Sequence, residues 1–439
     1  MKMLRALCAT AVFAATWALP AQAEDLLQVF EHAQMEDAQL RAAEAQYRAV
    51  LEARPIARST LLPQLSADAE LGAFYSDPDG SSSIDGSSHS IGLNLNQSLF
   101  DQRNRIGVRQ ADLQISSAAA ELDAARQDLI LRVAEAYFGV LVARETLEFR
   151  RAEREAISRQ LEQTQRRFEV GLIAITDVKE AQAQFDIASA EQIAAENALN
   201  LAREQLAVIT NRYYDQLAAL GEHLDMPSPD PMDPQDWVSA ALENNQELNA
   251  QRLSAEVARE QIGRQRAEGL PTLGLGASVS DTGYSGVNSV PGGQFNDRTD
   301  AQIGLRLDVP LYTGGRVSAI TREAREQFEA AQETVVFTQR QTVQNTRNSY
   351  LSVIANASRA RALAQALQST QAAFESAQAG FEVGTRTQVD VLLALREVFR
   401  AERDYAEARY GYLLETLRLQ RAVGSLSLAD LQRINAFLE

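Results

Sequence analysis

Cysteine occurs once in the 439 residues, at Cys8, so a disulfide framework and a multi-cysteine metal site are both excluded. Histidine is nearly as scarce. His32, His89 and His223 share no ligand spacing, and Met35, Met226 and Met232 form no cluster, so no metal or cofactor is expected on ligands of this chain. A basic surplus is missing as well: the formal net charge is −17, which argues against nucleic acid and anionic membrane surfaces as partners. After residue 23 no uninterrupted apolar stretch reaches the length of a membrane helix, so any membrane contact has to be made by β-strands. No nucleophile–base arrangement stands out, and no enzymatic activity is expected.

The first residues stand apart from the rest. Lys2 and Arg5, an apolar run from Ala6 to Leu19 and the small-residue site Ala21-Gln22-Ala23 form a secretory signal peptide over residues 1–23, with Glu24 as the first mature residue. Its removal takes away Cys8 and two cations, moving the net charge from −17 to −19.

What the remainder has, it has twice. RFEVGLIAITDVKEA from Arg167 and GFEVGTRTQVDVLLA from Gly380 share FEVG and then Asp-Val at an offset of 213 residues. AYFGVL at 136–141 answers SYLSVI at 349–354 at the same offset, and IGLNLNQSLF from Ile91 answers IGLRLDVPLY from Ile303 at 212. LLPQLSADAEL from Leu61 answers GLPTLGLGASV from Gly269 at 208. The chain is two copies of a unit of about 200 residues, too long for a solenoid repeat.

Each copy holds two segments of alternating side chains. Leu65, Ala67, Ala69, Leu71, Ala73 and Tyr75 interleave with Ser66, Asp68, Glu70 and Gly72, while Ile91, Leu93, Leu95 and Leu99 interleave with Ser90, Asn94, Asn96 and Ser98. The second copy repeats this with Leu273, Leu275, Ala277 and Val279, then Ile303, Leu305, Leu307 and Val309. Segments of about 10 such residues fit the strands of an outer-membrane barrel, apolar face to lipid. A half-buried antiparallel sheet of a soluble protein shows the same alternation. The polar stretches SDPDGSSSIDGSS and DTGYSGVNSVPGGQFNDRTD join the partners as hairpin loops. Closed membrane barrels begin at about 8 strands, and hydrocarbon tolerates no open edge. A spanning chain with four strands must therefore oligomerise. Phe74, Tyr75, Phe100, Tyr284 and Tyr312 lie near strand ends, placed for interfacial girdles or for ordinary packing.

Everything else carries helical spacing. Leu122, Leu129, Val133, Ala136, Val140, Ala143 and Leu147 form a heptad seam in a proline-free run from Asp101 to Val170. After Gly171 a returning helix from Leu172 to Ile209 continues 3–4 spacing with alanine at many seam positions. One helix from Asp25 to Ala57 precedes the strands, and the second copy repeats the set at Thr313 to Glu382, Arg386 to Val423 and Trp237 to Glu268. The long helix measures roughly 105 Å at 1.5 Å per residue, and the two shorter ones match it end to end. The expected organisation is a first repeat over 24–210, a proline-containing linker or equatorial segment over 211–236, a second repeat over 237–423 and a C-terminal equatorial segment over 424–439. The run RRAEREAISRQ at 150–160 reads as a solvated helix face with i,i+4 pairs.

PLYTGG at 310–315, ARSTLLPQL at 57–65, REAISRQLEQTQRRFEVGLIAITDV at 154–178 and VGTRTQVDV at 383–391 together resemble the TolC-type outer-membrane efflux proteins, the outer membrane factor family. The resemblance covers essentially the whole mature length. It implies a mostly α protein with membrane β: a homotrimer in which four strands per chain make one twelve-stranded barrel, continued by a long antiparallel coiled-coil helical tunnel. It places the protein in the Gram-negative cell outer membrane, extending into the periplasm. The partners it implies are outer-membrane lipid, a periplasmic adaptor (membrane fusion) protein and an inner-membrane transporter, and the role it implies is a passive exit duct for tripartite efflux or type I secretion. The other reading of the residues is a periplasmic or secreted coiled-coil adaptor or spacer whose strands form a soluble cap.

Candidate site residues cluster at the turns far from the strands. By resemblance, Gly171 and Gly384 are the tip turns, Thr176, Asp177 and Arg386 match the positions of the entrance links, with Arg386 the cation and Asp177 its acceptor, and Asp390 matches an acidic ring facing the pore. Three positions depart from the family pattern: Phe381 stands where a tyrosine can supply a hydroxyl, Arg166 where glutamine is expected, and Leu393 where a second acidic ring can occur. Arg166 could instead pair with a tip carboxylate. Asp177 and Asp390 are equivalent under the 213 offset and lie in the first turn of a helix, where the macrodipole favours a carboxylate whatever its role. Arg386 has Ile173 as its counterpart, so this cation breaks the duplication.

Overall fold

The computed structural model describes residues 23–76, 84–221, 224–285 and 296–438. Residues 1–22 of the expected 1–23 signal peptide, His223 and the middle of both expected hairpin loops lie outside the described residues. Three helices open the chain, α1 (Leu26–Glu36), α2 (Ala38–Leu51) and α3 (Ala53–Ser59), followed by strands β1 (Gln64–Ser76) and β2 (Ile84–Phe100). The long helix α4 (Gln102–Glu169) and its return α5 (Ile175–Thr210) complete the first copy. The second copy runs α6 (Pro234–Asn244), α7 (Gln246–Ala267), β3 (Thr272–Ser285), β4 (Arg298–Asp308), α8 (Arg316–Glu382) and α9 (Gln388–Val423), and α10 (Leu428–Asn435) closes the chain. At 68 and 67 residues, α4 and α8 are each roughly 100 Å long. None of the described helices is both long and apolar enough to cross a membrane.

The pre-strand segment is broken where one helix was expected. Asp37 takes an extended backbone (φ −63°, ψ 117°), and its carboxylate accepts the Leu40 N–H at 2.6 Å, so α1 ends and α2 starts there. Asn245, its counterpart at an offset of 208, does the same between α6 and α7, accepting the Leu248 N–H at 2.9 Å. A short polar side chain that caps the next helix satisfies an otherwise orphaned N–H, and that outweighs continuation of the helix. Asp37 is buried, and Arg132 of α4 grips both its oxygens at 2.9 and 3.0 Å. Burial alone would raise this carboxyl's pKa; the Arg132 hydrogen bond and the helix N–H groups bring it below the ordinary aspartate value.

The four strands form one antiparallel sheet in the order β1-β2-β3-β4, leaving β1 and β4 as its edges. Register puts Leu65 opposite Leu95, Ala67 opposite Leu93, and Leu275 opposite Leu305, so the apolar residues share one face. Ser66, Asp68 and Asn94 share the other, where Asn94 donates to Asp68 at 2.6 Å. On the apolar face the pattern ends at Asp281, opposite Thr299, whose hydroxyl donates to it at 2.7 Å. Phe74 and Tyr284 sit on the polar face and meet edge to face at 6.3 Å, so these two do not belong to a lipid-facing girdle; Tyr75 and Tyr312 are exposed.

Next to the sheet, α4 packs against α2, α3 and α7, and α7 against α8; in the part of the layer nearer the tips α4 packs against α5 and α9, and α8 against α9, so α5 and α8 lie at its two edges there. The expected heptad positions Leu122, Leu129, Val133, Ala136, Val140 and Leu147 are buried in α4, and Ala181, Ala188, Ala195, Leu199 and Leu206 in α5. The core is thickest at mid-height. There Phe138 meets Tyr137 edge to face and Tyr410 at a tilt, among α1, α10 and the 211–236 segment, and the Tyr137 hydroxyl donates to the Ala218 carbonyl at 2.8 Å. The edge helices keep apolar side chains exposed, Ile187, Leu201 and Val208 at heptad-compatible spacing on α5, and Phe337 and Leu351 on α8.

Candidate functional site at the helical tips

The end of the layer farthest from the sheet is built from two turns with the same backbone. Gly171 (φ +78°) and Gly384 (φ +80°) take the left-handed conformation that lets each long helix reverse, a position where a side chain would be strained. Beside them Val170, Leu172 and Val383 are exposed, at 69, 72 and 76 %.

The two first-turn carboxylates are equivalent in sequence but not in bonding. In α9 the Thr387 N–H and hydroxyl both donate to one Asp390 oxygen, at 2.8 and 2.9 Å, and the Asp390 N–H donates back to Thr387 Oγ1 at 3.2 Å. The Thr387 backbone hydrogen bond, then its hydroxyl, and lastly the Arg386 charge hold the Asp390 carboxyl below the ordinary aspartate range. In α5 Ala174 replaces the threonine, and among the described residues Asp177 accepts only its N–H, at 3.3 Å. Asp177 therefore keeps more of its acceptor capacity for another partner.

Thr176 and Arg386 are exposed. The Arg386 N–H donates to the Gly380 carbonyl at 3.2 Å, and its Cγ occupies space that a Cβ at position 380 would need, at 2.7 Å. Among the described residues no ion pair joins Arg386 to Asp177, so one chain does not bring the two together. Arg166 points back along its own helix to Glu162 at 3.7 Å, with both side chains exposed, and is not paired with a tip carboxylate within the chain. Phe381 lies under the guanidinium of Arg167, 4.4 Å from its ring centroid, which links α8 to α4 where the sequence suggested a missing hydroxyl.

One reading of the sequence is corrected a few turns above the tip. The run at 150–160 is not uniformly a solvated face: Arg159 and Glu155 do form an exposed i,i+4 pair at 3.1 Å, but Glu153 is 3 % exposed. It is bridged by Arg150 at 2.6 Å and by Arg396 of α9 at 3.6 Å. Arg150 also meets Glu191 of α5 at 2.6 Å, and Arg396 donates to Gln184 of α5 at 2.8 Å. Arg167 and Glu153 escaped a reading of the sequence by motif. The signal that could have found them is the duplication, since their counterparts at 213 are Gly380 and Ala366.

A family model described as Outer membrane efflux protein matches the chain twice, over residues 29–212 and 237–425. The chain is 38 % identical over 421 residues to the outer membrane protein TolC of Vibrio cholerae, covering 95 % of this chain and 94 % of that one. To TolC of Escherichia coli it is 40 % identical, over 94 and 85 % of the two chains, and to the alkaline protease secretion protein AprF of Pseudomonas aeruginosa 31 %, over 94 and 86 %. Among solved structures, the Campylobacter jejuni CmeC outer membrane channel superposes with a TM-score of 0.78 at 16 % identity, over 100 and 98 % of the two chains. The outer membrane protein VceC of Vibrio cholerae superposes at 0.75 and 23 % identity, over 91 and 96 %. These two likenesses establish the fold alone.

Proposed function

The chain belongs to the outer membrane efflux protein family, and on that premise we propose that it is the outer-membrane exit duct of a tripartite efflux or type I secretion system, with an entrance gated at the helical tips. The observation that carries the duct is the four-stranded sheet with two unpaired edges, an uncovered apolar face and a helical layer roughly 100 Å long behind it. Edges are not tolerated in hydrocarbon, so the sheet closes only with further copies. Three copies give twelve strands, and the same threefold closure covers the bare apolar residues on α5 and α8. The barrel lies in the cell outer membrane and the helices extend into the periplasm as a passive tunnel. A periplasmic adaptor and an inner-membrane transporter complete the system, and the exposed Val170, Leu172 and Val383 offer the adaptor an apolar contact.

The gate rests on the tip geometry. Arg386 and Asp177 lie on the two coils whose outer helices are the edges of the layer, so their pairing is a contact between neighbouring protomers. Thr176 stands beside this pair, and Asp390, held ionised by Thr387, contributes an acidic ring to the same opening. The test is twofold. Membrane fractionation and semi-native gels should give heat-modifiable, detergent-requiring trimers, whereas soluble periplasmic monomers would establish the spacer instead. In planar bilayers, Arg386→Ala should raise the single-channel conductance; an unchanged conductance would remove the gating role while leaving the duct.

A further inference from the structure

A net charge of −17 argues against an anionic membrane surface only if the carboxylates are spread evenly, and they are not. Four helical turns adjoin the sheet, the last of α3 and of α7 and the first of α4 and of α8. They hold Arg58, Arg103, Arg105, Arg264, Arg266 and Arg316 and no carboxylate. The flanking acids Asp101 and Glu268 are engaged by Arg103 and Arg316 at 2.7 and 2.5 Å, and Asp308 lies on the polar face of β4, opposite Thr272. Charges act over a screening length of about 8 Å, so a phosphate at this level meets arginines and not the acidic surplus of the distant helices.

Three of these arginines share one side of the layer. A turn farther from the sheet, Arg54 of α3 meets Asp112 of α4 at 3.0 Å, and Arg109 of α4 meets Glu260 of α7 at 2.8 Å. Arg58, Arg105 and Arg264 each stand four residues from a member of those pairs, in the direction of the sheet, and so lie on the same side. All three are exposed, and none forms an ion pair among the described residues; Arg264 has a long hydrogen bond to Gln110, at 3.5 Å. Arg266, two residues on, belongs to another face of α7.

That side continues the apolar face of the sheet. A bulge between Ser98 and Phe100 brings Phe100 opposite Leu273, which is itself opposite Leu307, so the Phe100 ring ends the apolar face. The Arg105 guanidinium lies 5.2 Å from the centroid of this ring. An aromatic ring at the foot of a lipid-facing surface marks the depth of the headgroups. Farther up the same face, Leu65, Leu95, Ala277 and Ile303 form one row, and the small Ala277 leaves a mainly apolar hollow of about 370 Å³. It lies roughly 13 Å along β3 from Leu273, at about 3.3 Å per residue.

We propose that Arg58, Arg105 and Arg264 bind the phosphate of anionic phospholipid in the periplasmic leaflet, with an acyl chain of that lipid lying in the hollow at Ala277. Guanidinium groups suit phosphate oxygens through paired N–H donors, and the long arginine stems reach the headgroup from the helices below. The site rests on the barrel spanning the outer membrane, as read above. Soluble periplasmic monomers would remove that reading and this one together, whereas membrane trimers whose lipid binding ignores the three arginines would remove this one alone.

The test is a titration of the purified full-length trimer in neutral detergent with fluorescently tagged phosphatidylglycerol, read by anisotropy. Wild type should bind it more tightly than tagged phosphatidylcholine, whose headgroup carries no net charge; equal affinities would overturn the proposal. Each arginine near a membrane surface contributes about fivefold, so Arg58→Gln, Arg105→Gln and Arg264→Gln together should weaken binding on the order of a hundredfold. Arg340→Gln, an exposed cation in the middle of α8, should leave it unchanged. Where the triple variant fails to assemble, Arg105→Gln alone should still weaken binding about fivefold, and wild-type affinity in either variant would refute the assignment. Ala277→Phe fills the hollow and should weaken binding of long-chain more than of short-chain phosphatidylglycerol. Displacement of the lipid by millimolar inorganic phosphate would make this a site for the free anion, and displacement by equimolar lipid A would make it a site of the other leaflet's lipid; either result would overturn the proposal.

Discussion

Leu305 offers the sharpest test of how the sheet meets the membrane. It lies opposite Leu275 on the apolar face, 67 % exposed in the single chain, midway along the alternating series that runs from Ala301 through β4 to Val309 just past its end. An arginine near the midplane of a barrel's lipid face costs about 2–4 kcal/mol. Three copies in one trimer bring this to about 6–12 kcal/mol, comparable to the whole stability of a typical domain at about 5–15 kcal/mol. Leu305→Arg should therefore abolish assembly. Thr299, six residues up the same strand and the same face, lies roughly 15 Å nearer the surface for a strand rising about 3.4 Å per residue at a tilt of about 40°. There the same substitution should cost only about 0–1 kcal/mol. Arg306 lies opposite Gly274 on the polar face, and Arg306→Ala should change stability by no more than about 0.5 kcal/mol. The assay is the yield of heat-modifiable trimer in the outer membrane. Equal losses for Leu305→Arg and Arg306→Ala would refute the assignment of faces, and equal losses for Leu305→Arg and Thr299→Arg would refute the depth.

Other outcomes follow from charges in the helical part. Asp177→Ala and Arg386→Ala should each raise the bilayer conductance only partly, because exposed pairs contribute little, and the double variant should add little to the larger single effect. Asp390→Ala should leave the resting conductance nearly unchanged but weaken block by multivalent cations; in the wild type that block should persist to more acidic pH than an ordinary aspartate allows, since the capping hydrogen bonds keep the carboxylate ionised. Arg132→Ala strands buried Asp37 and should destabilise the helical part by about 3 kcal/mol in thermal melts, with a smaller loss at acidic pH, where Asp37 is neutralised. Burial raises the Glu145 carboxyl above its ordinary value of 4.5, with the Tyr410 hydroxyl and Arg409 pulling it part of the way back. A raised native pKa means that the folded state binds the proton more tightly, so this group's contribution to stability is full below the unfolded value and is lost as pH rises through the native one. Relative to wild type, Glu145→Gln should therefore raise the melting temperature more at about pH 7.5 than at about pH 4.5; a pH-independent difference would refute the buried-carboxyl account.

Most of the architecture was legible because it is periodic and stated twice. Alternation over β1 to β4 assigned the faces that the register confirms, and the heptad seam of α4 is the buried one. The breaks at Asp37 and Asn245 were not legible, since one polar residue inside a helical pattern costs little by itself. Only the N–H group that each caps, and for Asp37 the distant Arg132, make the break favourable. Glu153 was hidden for a related reason. A run dense in Glu and Arg carries no sign of which member faces another helix, and that choice is made by α9 arriving more than two hundred residues later in sequence.

The same reasoning explains why the tip residues are unevenly readable. Gly171, Gly384, Asp177 and Asp390 follow from local rules, a reversal and a first turn, and those rules hold in each copy alike. Local rules therefore cannot separate the two coils. What distinguishes the coils is every position where the duplication fails: Arg386 against Ile173, Arg167 against Gly380, Glu153 against Ala366, Thr387 against Ala174. Each failure puts a charge or a hydrogen-bonding group in one coil only. Glu153 is buried between the coils and Arg167 stacks on Phe381 across them, whereas Arg386 is exposed, so the two copies of the unit have been differentiated. Restoring symmetry is the corresponding experiment. Gly380→Arg would give the second coil a cation like Arg167, at the cost of displacing Arg386, whose Cγ lies 2.7 Å from the new Cβ. If Arg386 gates the entrance, this variant should assemble normally and change its conductance. Assembly with wild-type conductance would show that the asymmetry has no bearing on opening.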